Sequence, residues 1–200
     1  MGDMNETSER RAHLHRQTKE TTIDVEIAVD GRGVASAATG IPFLDHMLEQ
    51  LGKHGGFDLT VRAEGDLSVD THHTVEDVGI VLGTALKEAL GDKAGVRRFA
   101  SGLFPLDEAL VQVALDLSGR PFLVYDVEPV AEWIGTFDPQ LAEEFWRAFA
   151  FGAGVTLHLT SLSGRNGHHV LEASFKGVAR CLRDAVRVEG DGVPSTKGTL

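Results

Sequence analysis

Two stretches of this sequence carry the same pattern: THHTVEDVGIVLGTALKEAL at residues 71–90 and GHHVLEASFKGVARCLRDAV at residues 167–186. In each stretch a His-His-x-x-Glu motif is followed by apolar residues spaced three and four apart, which is typical of one helix face. His168 follows His72 by 96 positions, and Glu172 follows Glu76 by the same 96 positions. A period this long, present only twice, indicates an internal duplication rather than a solenoid.

The segments around the two motifs also recur in the same order. In the first half, alternation and turn residues predict strands at 21–29 and 31–34, a helix at 42–55, a strand at 57–63 and a helix at 72–90. In the second half, the same signals predict strands at 110–117 and 122–127, a helix at 139–151, a strand at 155–161 and a helix at 168–188. We therefore predict an α+β fold of two tandem, pseudo-symmetric β-β-α-β-α halves, each a sheet with helices on one face.

Composition and periodicity suggest where the halves begin and end. Residues 1–9 are polar and aperiodic, which predicts a flexible N-terminal tail. The first half-domain is expected to span 10–95 and the second 96–188. Residues 189–200 are rich in glycine and contain Pro-Ser-Thr-Lys-Gly, so this segment is predicted to be a loop.

The charge balance restricts the partners that we expect. The chain has 19 Lys and Arg residues against 30 Asp and Glu residues, giving a net charge of -11. An acidic surface repels phosphate backbones, so no nucleic-acid partner is predicted. There is no apolar stretch of about 18 residues and no apolar leader, which predicts a cytoplasmic protein without a membrane partner.

The duplicated motif has the residue types of a metal site. Glu76 lies four positions after His72 and three after His73, so either histidine can share a helix face with it. Adjacent histidines are about 100° apart around a helix and should not chelate one ion together, which leaves two metals, or one metal and an idle histidine. One copy alone is equally explained as polar residues at a helix start. The second copy favours metal, and the ligand set suits manganese, iron or zinc.

Two further ligand candidates precede the motifs. His46 lies in Phe-Leu-Asp-His-Met-Leu, 26 residues before His72, and Glu144 lies 24 residues before His168. A carboxylate can replace an imidazole at a manganese or iron ion. For Glu144 taken alone, a solvated surface acid is the more common explanation.

Six ordered segments of the chain together resemble the imidazoleglycerol-phosphate dehydratase family. They are Arg-Gln-Thr-Lys-Glu-Thr (16–21), Phe-Leu-Asp-His-Met-Leu-Glu-Gln (43–50), Thr-His-His-Thr-Val-Glu-Asp (71–77), Leu-Asp-Leu-Ser-Gly-Arg-Pro (115–121), His-His-Val-Leu-Glu-Ala-Ser-Phe-Lys (168–176) and Pro-Ser-Thr-Lys-Gly (194–198). The resemblance implies a duplicated fold like the second domain of ribosomal protein S5. It also implies a manganese-dependent lyase that dehydrates D-erythro-imidazole glycerol phosphate to imidazole acetol phosphate in histidine biosynthesis.

The same resemblance implies two Mn²⁺ ions per subunit, with Fe²⁺ or Zn²⁺ not excluded. The implied ligands are His46, His72, His73, Glu76, His168, His169 and Glu172, with Glu144 where the family usually has an eighth histidine. The implied catalytic residues are Glu20, as the base, with His46, His72, Glu76, His168 and Glu172. Without the resemblance, Glu20 would be interpreted as an exposed acid at a strand edge.

The resemblance further implies which residues contact the substrate. They are Glu20, Gln50, Arg98, Arg120, Lys176, Ser195, Thr196 and Lys197. Arginine forks and lysine charges suit a phosphate dianion, although each residue taken singly is more often a solvated charge. The residues alone do not choose between Arg97 and Arg98; the family register favours Arg98. A homo-oligomer of 24 subunits, octahedral and built from trimers, with active sites between subunits, is implied as well.

Two other functions are compatible with the motifs. A two-metal hydrolase could use the same ligands to activate water against a phosphate ester. A scaffold without activity could use the metal only to join subunits.

Overall fold

The computed structural model describes residues 10–198 and Leu200. The predicted tail at 1–9 lies outside the described residues. The helices are α1 (Pro42–Gly55), α2 (His72–Leu90), α3 (Leu141–Ala153) and α4 (Gly167–Ala185). The strands are β1 (Arg11–Gln17), β2 (Thr21–Ala28), β3 (Ala35–Ala38), β4 (Asp58–Gly65), β5 (Phe99–Leu106), β6 (Ala109–Asp116), β7 (Phe122–Asp126) and β8 (Thr156–Ser163).

The strands form two four-stranded sheets with the same topology, in the orders β1-β2-β4-β3 and β5-β6-β8-β7. In each sheet the first three strands are antiparallel and the last pairing, β3 with β4 or β7 with β8, is parallel. The predicted α+β fold of two duplicated halves is thereby confirmed. Each half begins with one more strand than the sequence predicted.

The two additional strands, β1 and β5, lie at sheet edges. Their sequences lack the clear alternation that indicates a strand. In β1 (RAHLHRQ) the half-buried positions are Ala12, Leu14 and Arg16, which is too weak an alternation to indicate a strand. In β5 (FASGLFPL) Gly102 and Pro105 interrupt the pattern. Proline and glycine are tolerated on an edge strand, and pairing with β2 or β6 supplies the hydrogen bonds that define these strands.

The predicted strand at 31–34 is wrong, because the third strand begins at Ala35. Residues 31–34 form a loop held by Asp58, whose Oδ1 accepts hydrogen bonds from the backbone nitrogens of Arg32 at 2.8 Å and Val34 at 3.0 Å. Gly33 has a φ of 78°, a left-handed conformation that glycine adopts without strain. The turn after β2 is therefore longer than the Asp-Gly pair suggested.

The four helices lie between the two sheets and pair across the halves. Helix α1 packs against α4, and α2 packs against α3. Strands β2 and β6 turn fully buried valines such as Val25 and Val113 toward these helices, so one continuous apolar core joins both halves. Each site helix therefore faces a helix from the other half. Among the described residues, no helix is long and apolar enough to cross a membrane.

Candidate active site

The pairing of α1 with α4 brings three predicted metal ligands together. The Nε2 atom of His168 lies 2.8 Å from Oε2 of Glu172, and Nε2 of His46 lies 3.4 Å from the same oxygen. One donor atom from each of the three residues lies within 4.8 Å of the others. Two imidazoles and a carboxylate at this spacing suit a divalent transition ion.

Local structure fixes the orientation of this cluster. The Asn166 side chain caps α4 by accepting a hydrogen bond from the backbone nitrogen of His168 at 3.0 Å, which starts the helix at the motif. The Phe43 ring packs edge-on against the His168 ring with centroids 5.2 Å apart. His168 is thus held from both its backbone and its ring.

Glu172 is kept as a carboxylate by its neighbours. Burial acts to raise its pKa, but the Lys176 ammonium, 2.5 Å away, together with His168 and His46 lowers the pKa to about 2. The side chain is therefore negatively charged at neutral pH, which is the form that binds a cation.

The pairing of α2 with α3 places the corresponding residues of the first copy near each other. His72 and Glu144 line one cavity of about 310 Å³, together with Asp138 and Gln140 from the segment just before α3. Glu76 is half-buried one turn after His72. In the described part of the chain, His72, Glu76 and Glu144 do not form a close three-donor group like that at His46.

The second histidine of each pair turns away from the first. The ring centroids are 6.3 Å apart and the ring planes differ by 83° in both His72–His73 and His168–His169. The two rings of each pair are therefore set apart from each other, as the helical spacing predicted. The identical geometry in both copies also reflects the duplication.

These second histidines have carboxylate partners that sequence reasoning missed. His73 Nδ1 lies 3.1 Å from Asp66 Oδ2, and His169 Nδ1 lies 2.8 Å from Glu108 Oε2. The hydrogen bonds raise the pKa of each histidine, and His169 is the main cause that lowers the pKa of Glu108 to about 2. The two carboxylates do not occupy equivalent positions in the two halves, because Asp66 precedes His73 by 7 positions and Glu108 precedes His169 by 61. The sequence repeat therefore does not indicate them.

Glu20 lies in the tight turn between β1 and β2, with its side chain about half exposed. Thr18 Oγ1 accepts a hydrogen bond from the Glu20 nitrogen at 3.1 Å, and the Glu20 carbonyl accepts one from Asp66 at 3.1 Å. Glu20 Oε2 lies 3.9 Å from His73 Nδ1. The turn therefore holds this carboxylate beside the first metal motif.

A second cavity, of about 500 Å³, gathers most of the predicted phosphate contacts. Its lining consists of Arg98, Arg120, Pro194, Ser195, Thr196 and Lys197. Three cationic side chains thus converge in a chain with a net charge of -11. An anion is the ligand that this lining favours.

Arg98 also holds the C-terminal segment in place. Its Nε and Nη2 donate to the two oxygens of Asp116, at 2.7 Å and 3.1 Å, and its Nη1 donates to the Pro194 carbonyl at 2.7 Å. Arg97 instead extends toward Glu189, with 3.9 Å between Nη1 and Oε1. Arg98, not Arg97, is the residue that lines the cavity.

Three predicted substrate residues, Glu20, Gln50 and Lys176, do not line this cavity. Lys176 forms an ion pair with Glu172 on α4, and Oε1 of Gln50 on α1 lies 3.2 Å from Nε2 of His54. The described chain therefore divides the predicted substrate residues among the turn at Glu20, the α1/α4 cluster and the basic cavity.

Comparison with known proteins places this arrangement in a family. A sequence model described as imidazoleglycerol-phosphate dehydratase matches residues 39–182. The chain is 58% identical over 193 residues to the imidazoleglycerol-phosphate dehydratase of a Parafrankia species, covering 96% of this chain and 99% of that protein. It is also 58% identical over 192 residues to that of Acidothermus cellulolyticus, covering 96% of this chain and 93% of the relative.

Solved structures agree with the sequence comparisons. The Pyrococcus furiosus enzyme matches with a TM-score of 0.82 at 40% identity, covering 94% of this chain and all 100% of that one. The imidazoleglycerol-phosphate dehydratase of Staphylococcus aureus matches with a TM-score of 0.79 at 37% identity, covering 88% and 97%. From this agreement in sequence and fold, the chain belongs to the imidazoleglycerol-phosphate dehydratase family and is a hydro-lyase of histidine biosynthesis.

Proposed function

We propose that this chain dehydrates D-erythro-imidazole glycerol phosphate to imidazole acetol phosphate with two Mn²⁺ ions per subunit. The observation that carries the proposal is the convergence of His46, His168 and Glu172 in a chain of this family. The cavity lined by Arg98, Arg120 and Lys197 supports it, because the substrate carries a phosphate.

The donor set fits the metal that the proposal requires. Imidazole nitrogens and an anionic carboxylate suit Mn²⁺, and they do not exclude Fe²⁺ or Zn²⁺. His46, His168 and Glu172 would hold one ion; His72, Glu76 and Glu144 would hold the other. When bound, the ions supply Lewis acidity toward the imidazole ring of the substrate.

The protein itself must move a proton. Dehydration removes a carbon-bound hydrogen as a proton and a hydroxyl group from the neighbouring carbon, and the resulting enol converts to the ketone. In our proposal Glu20 is the base, because its carboxylate is accessible to solvent and lies beside the His73 motif.

The basic cavity would orient the substrate by its phosphate. In this proposal Arg98, already aligned by Asp116, presents its guanidinium to the dianion while Arg120 and Lys197 add charge. Ser195 and Thr196 add hydroxyl and backbone donors from the C-terminal segment. Gln50 and Lys176, beside the α1/α4 cluster, would contact the part of the substrate near the metal.

We also propose a cytoplasmic homo-oligomer, an octahedral assembly of 24 subunits built from trimers, with active sites between subunits. The support is that the rings of His73 and His169 lie 6.3 Å from the first histidine of their own pair and at 83° to it, so each would be available to a neighbouring subunit's metal. The separation of the basic cavity from the α1/α4 cluster supports the same idea, because association would allow one subunit to complete the site of another.

The test is incubation of the manganese-loaded protein with the substrate, with separate assays for imidazole acetol phosphate and inorganic phosphate. We expect the ketone and no phosphate release. Glu172→Gln should lose bound manganese and activity, whereas His158→Ala, an exposed histidine on β8, should retain both. Phosphate release would indicate the hydrolase instead. Absence of both products from metal-loaded protein would refute the proposed function.

A further inference from the structure

A second group of potential metal ligands lies on the opposite side of the first sheet from the helices. His13 and His15 are two residues apart on β1, so both side chains point to the solvent-facing surface of the sheet. In the antiparallel pairing of β1 with β2, His13 is opposite Glu26 and His15 is opposite Asp24. We call these four residues the outer-face cluster.

The distances in the outer-face cluster match those between ligands of one ion. Asp24 Oδ2 lies 3.0 Å from His13 Nε2 and 3.5 Å from His15 Nδ1. Donor atoms of His13, Asp24 and Glu26 all lie within 4.8 Å of one another. Two ligands of a tetrahedral zinc ion, each about 2.0–2.1 Å from the metal, stand roughly 3.3 Å apart.

Exposure also favours a cation. The cluster holds two carboxylates. Arg62 lies next to one of them, with Nη1 3.9 Å from Oδ1 of Asp24, the oxygen turned away from the histidines, and Arg11 lines a cavity together with His13 and Glu26. The side chains of His13 and His15 are 59% and 56% exposed, so an ion can reach them and keep water ligands.

We propose that the outer-face cluster is an additional site for a divalent transition ion such as Zn²⁺. His13, Asp24 and Glu26 supply three donors, and His15 supplies the fourth after a small rotation of its ring. The ion would link the edge strand β1 to β2. None of these residues belongs to the proposed manganese sites, so the inference does not depend on the proposed function.

The test measures zinc bound to the full-length, manganese-loaded protein by equilibrium dialysis against micromolar zinc, followed by elemental analysis. Because zinc can also replace manganese, the comparison is between variants. His13→Ala/His15→Ala should bind about one zinc per chain less than the parent protein. His158→Ala should bind as much as the parent, since His158 is an exposed histidine on β8 opposite Ala114, with no carboxylate across the strand pair.

An activity control accompanies the zinc measurement. Dehydratase activity without zinc should be equal in the parent and the double variant. A failure of the proposed function would leave the difference in bound zinc unaffected. If the double variant does not fold, Asp24→Asn takes its place in the zinc measurement. Anomalous scattering at the zinc edge from crystals of the parent protein then locates the ion directly. Equal zinc in all variants, or no anomalous peak between β1 and β2, would reduce the cluster to a histidine–carboxylate ion pair and overturn the proposal.

Discussion

At the scale of single residues, each duplicated His-His pair gives its two imidazoles different partners. His168 lies against Glu172 within its own helix, while His169 lies against Glu108 in the turn between β5 and β6. The start of one helix therefore places its two imidazoles against two different carboxylates. The carboxylates that contact the second histidines, Asp66 and Glu108, orient those rings independently of the first histidines.

Replacing Glu20 by Gln tests its assignment as the base. Glutamine preserves the shape and cannot accept the proton, so we expect turnover to fall roughly 10²- to 10⁴-fold with unchanged assembly. Steady-state formation of the ketone product measures turnover, and sedimentation measures assembly. Glu64→Gln, which changes an exposed carboxylate on β4, is the matched control. A Glu20→Gln variant as active as this control would remove Glu20 from the mechanism.

Replacing Asp30 by Asn tests the Arg10–Asp30 ion pair at the start of the first half. Arg10 donates to both oxygens of Asp30, at 2.8 Å and 2.5 Å, and to the Val186 carbonyl at 2.7 Å. The Arg10 hydrogen bond lowers the pKa of Asp30. A lowered carboxyl pKa contributes stability that is complete above the unfolded value, about 3.9, and is lost as pH falls through the folded value.

We therefore expect Asp30→Asn to lower the free energy of unfolding by up to about 1 kcal/mol at pH 7, a modest value because Asp30 is half exposed and solvent screens the pair. The difference should shrink as pH falls below about 4. Urea unfolding at fixed protein concentration from pH 7 to pH 2.5 measures both effects. Asp191→Asn, at an exposed carboxylate, should change neither. A deficit that stays constant at low pH would show that the Arg10–Asp30 pair is not its source.

At the scale of elements, the helix pairs decide which ligands meet. Helix α2 approaches α3 closely because two of its residues, Gly79 and Gly83, have no side chain at the contact. The same approach brings His72 on α2 and Glu144 on α3 to one cavity. Small residues at this helix–helix contact are therefore a requirement of the site as well as of the core.

Replacing Gly83 by Ala should separate these helices. An added Cβ would lie 2.4 Å from the Phe149 carbonyl oxygen and 2.9 Å from the Ala153 nitrogen, and both atoms belong to the backbone. We expect a loss of about 1–3 kcal/mol in unfolding free energy, even though alanine favours a helix. Denaturant unfolding measures the loss. Glu88→Ala, on the exposed side of the same helix, should stay within about 0.5 kcal/mol, and an equal effect of both changes would contradict the packing argument.

At the scale of the whole molecule, the outer faces of the two sheets differ. The first carries polar side chains such as His13, Asp24 and Arg62, whereas the second exposes large apolar side chains. These are Phe99, Leu103, Phe122 and Leu162, each 49–58% exposed. An apolar patch of this kind on an acidic protein is typical of a surface that another subunit covers.

Replacing Leu103 by Lys tests whether the second sheet is a subunit interface. A charge at this position, 57% exposed in the single chain, would be buried by association, so we expect smaller species in sedimentation velocity. Val34→Lys is the matched control, because Val34 is 69% exposed but precedes β3 of the first sheet. If both variants sediment like the parent protein, the apolar face of the second sheet is not an interface.

The amino-acid sequence by itself determined the features that depend on near neighbours in the chain. The apolar spacing after His72 predicted α2 with its observed limits, 72 and 90, because helix contacts join residues three and four apart. The interval of 96 positions predicted the duplication, and two equivalent sheets confirm it. The ordered motifs likewise predicted the family that the comparisons establish.

Only the tertiary structure decided the features that join distant parts of the chain. Edge strand β1 exists because β2 supplies its hydrogen bonds. Glu108 contacts His169 although the two residues are 61 positions apart in the chain. The cavity lining distinguishes Arg98 from Arg97, which are adjacent and chemically equivalent in the sequence. Such contacts depend on how helices and sheets pack, and no local period of the sequence records that packing.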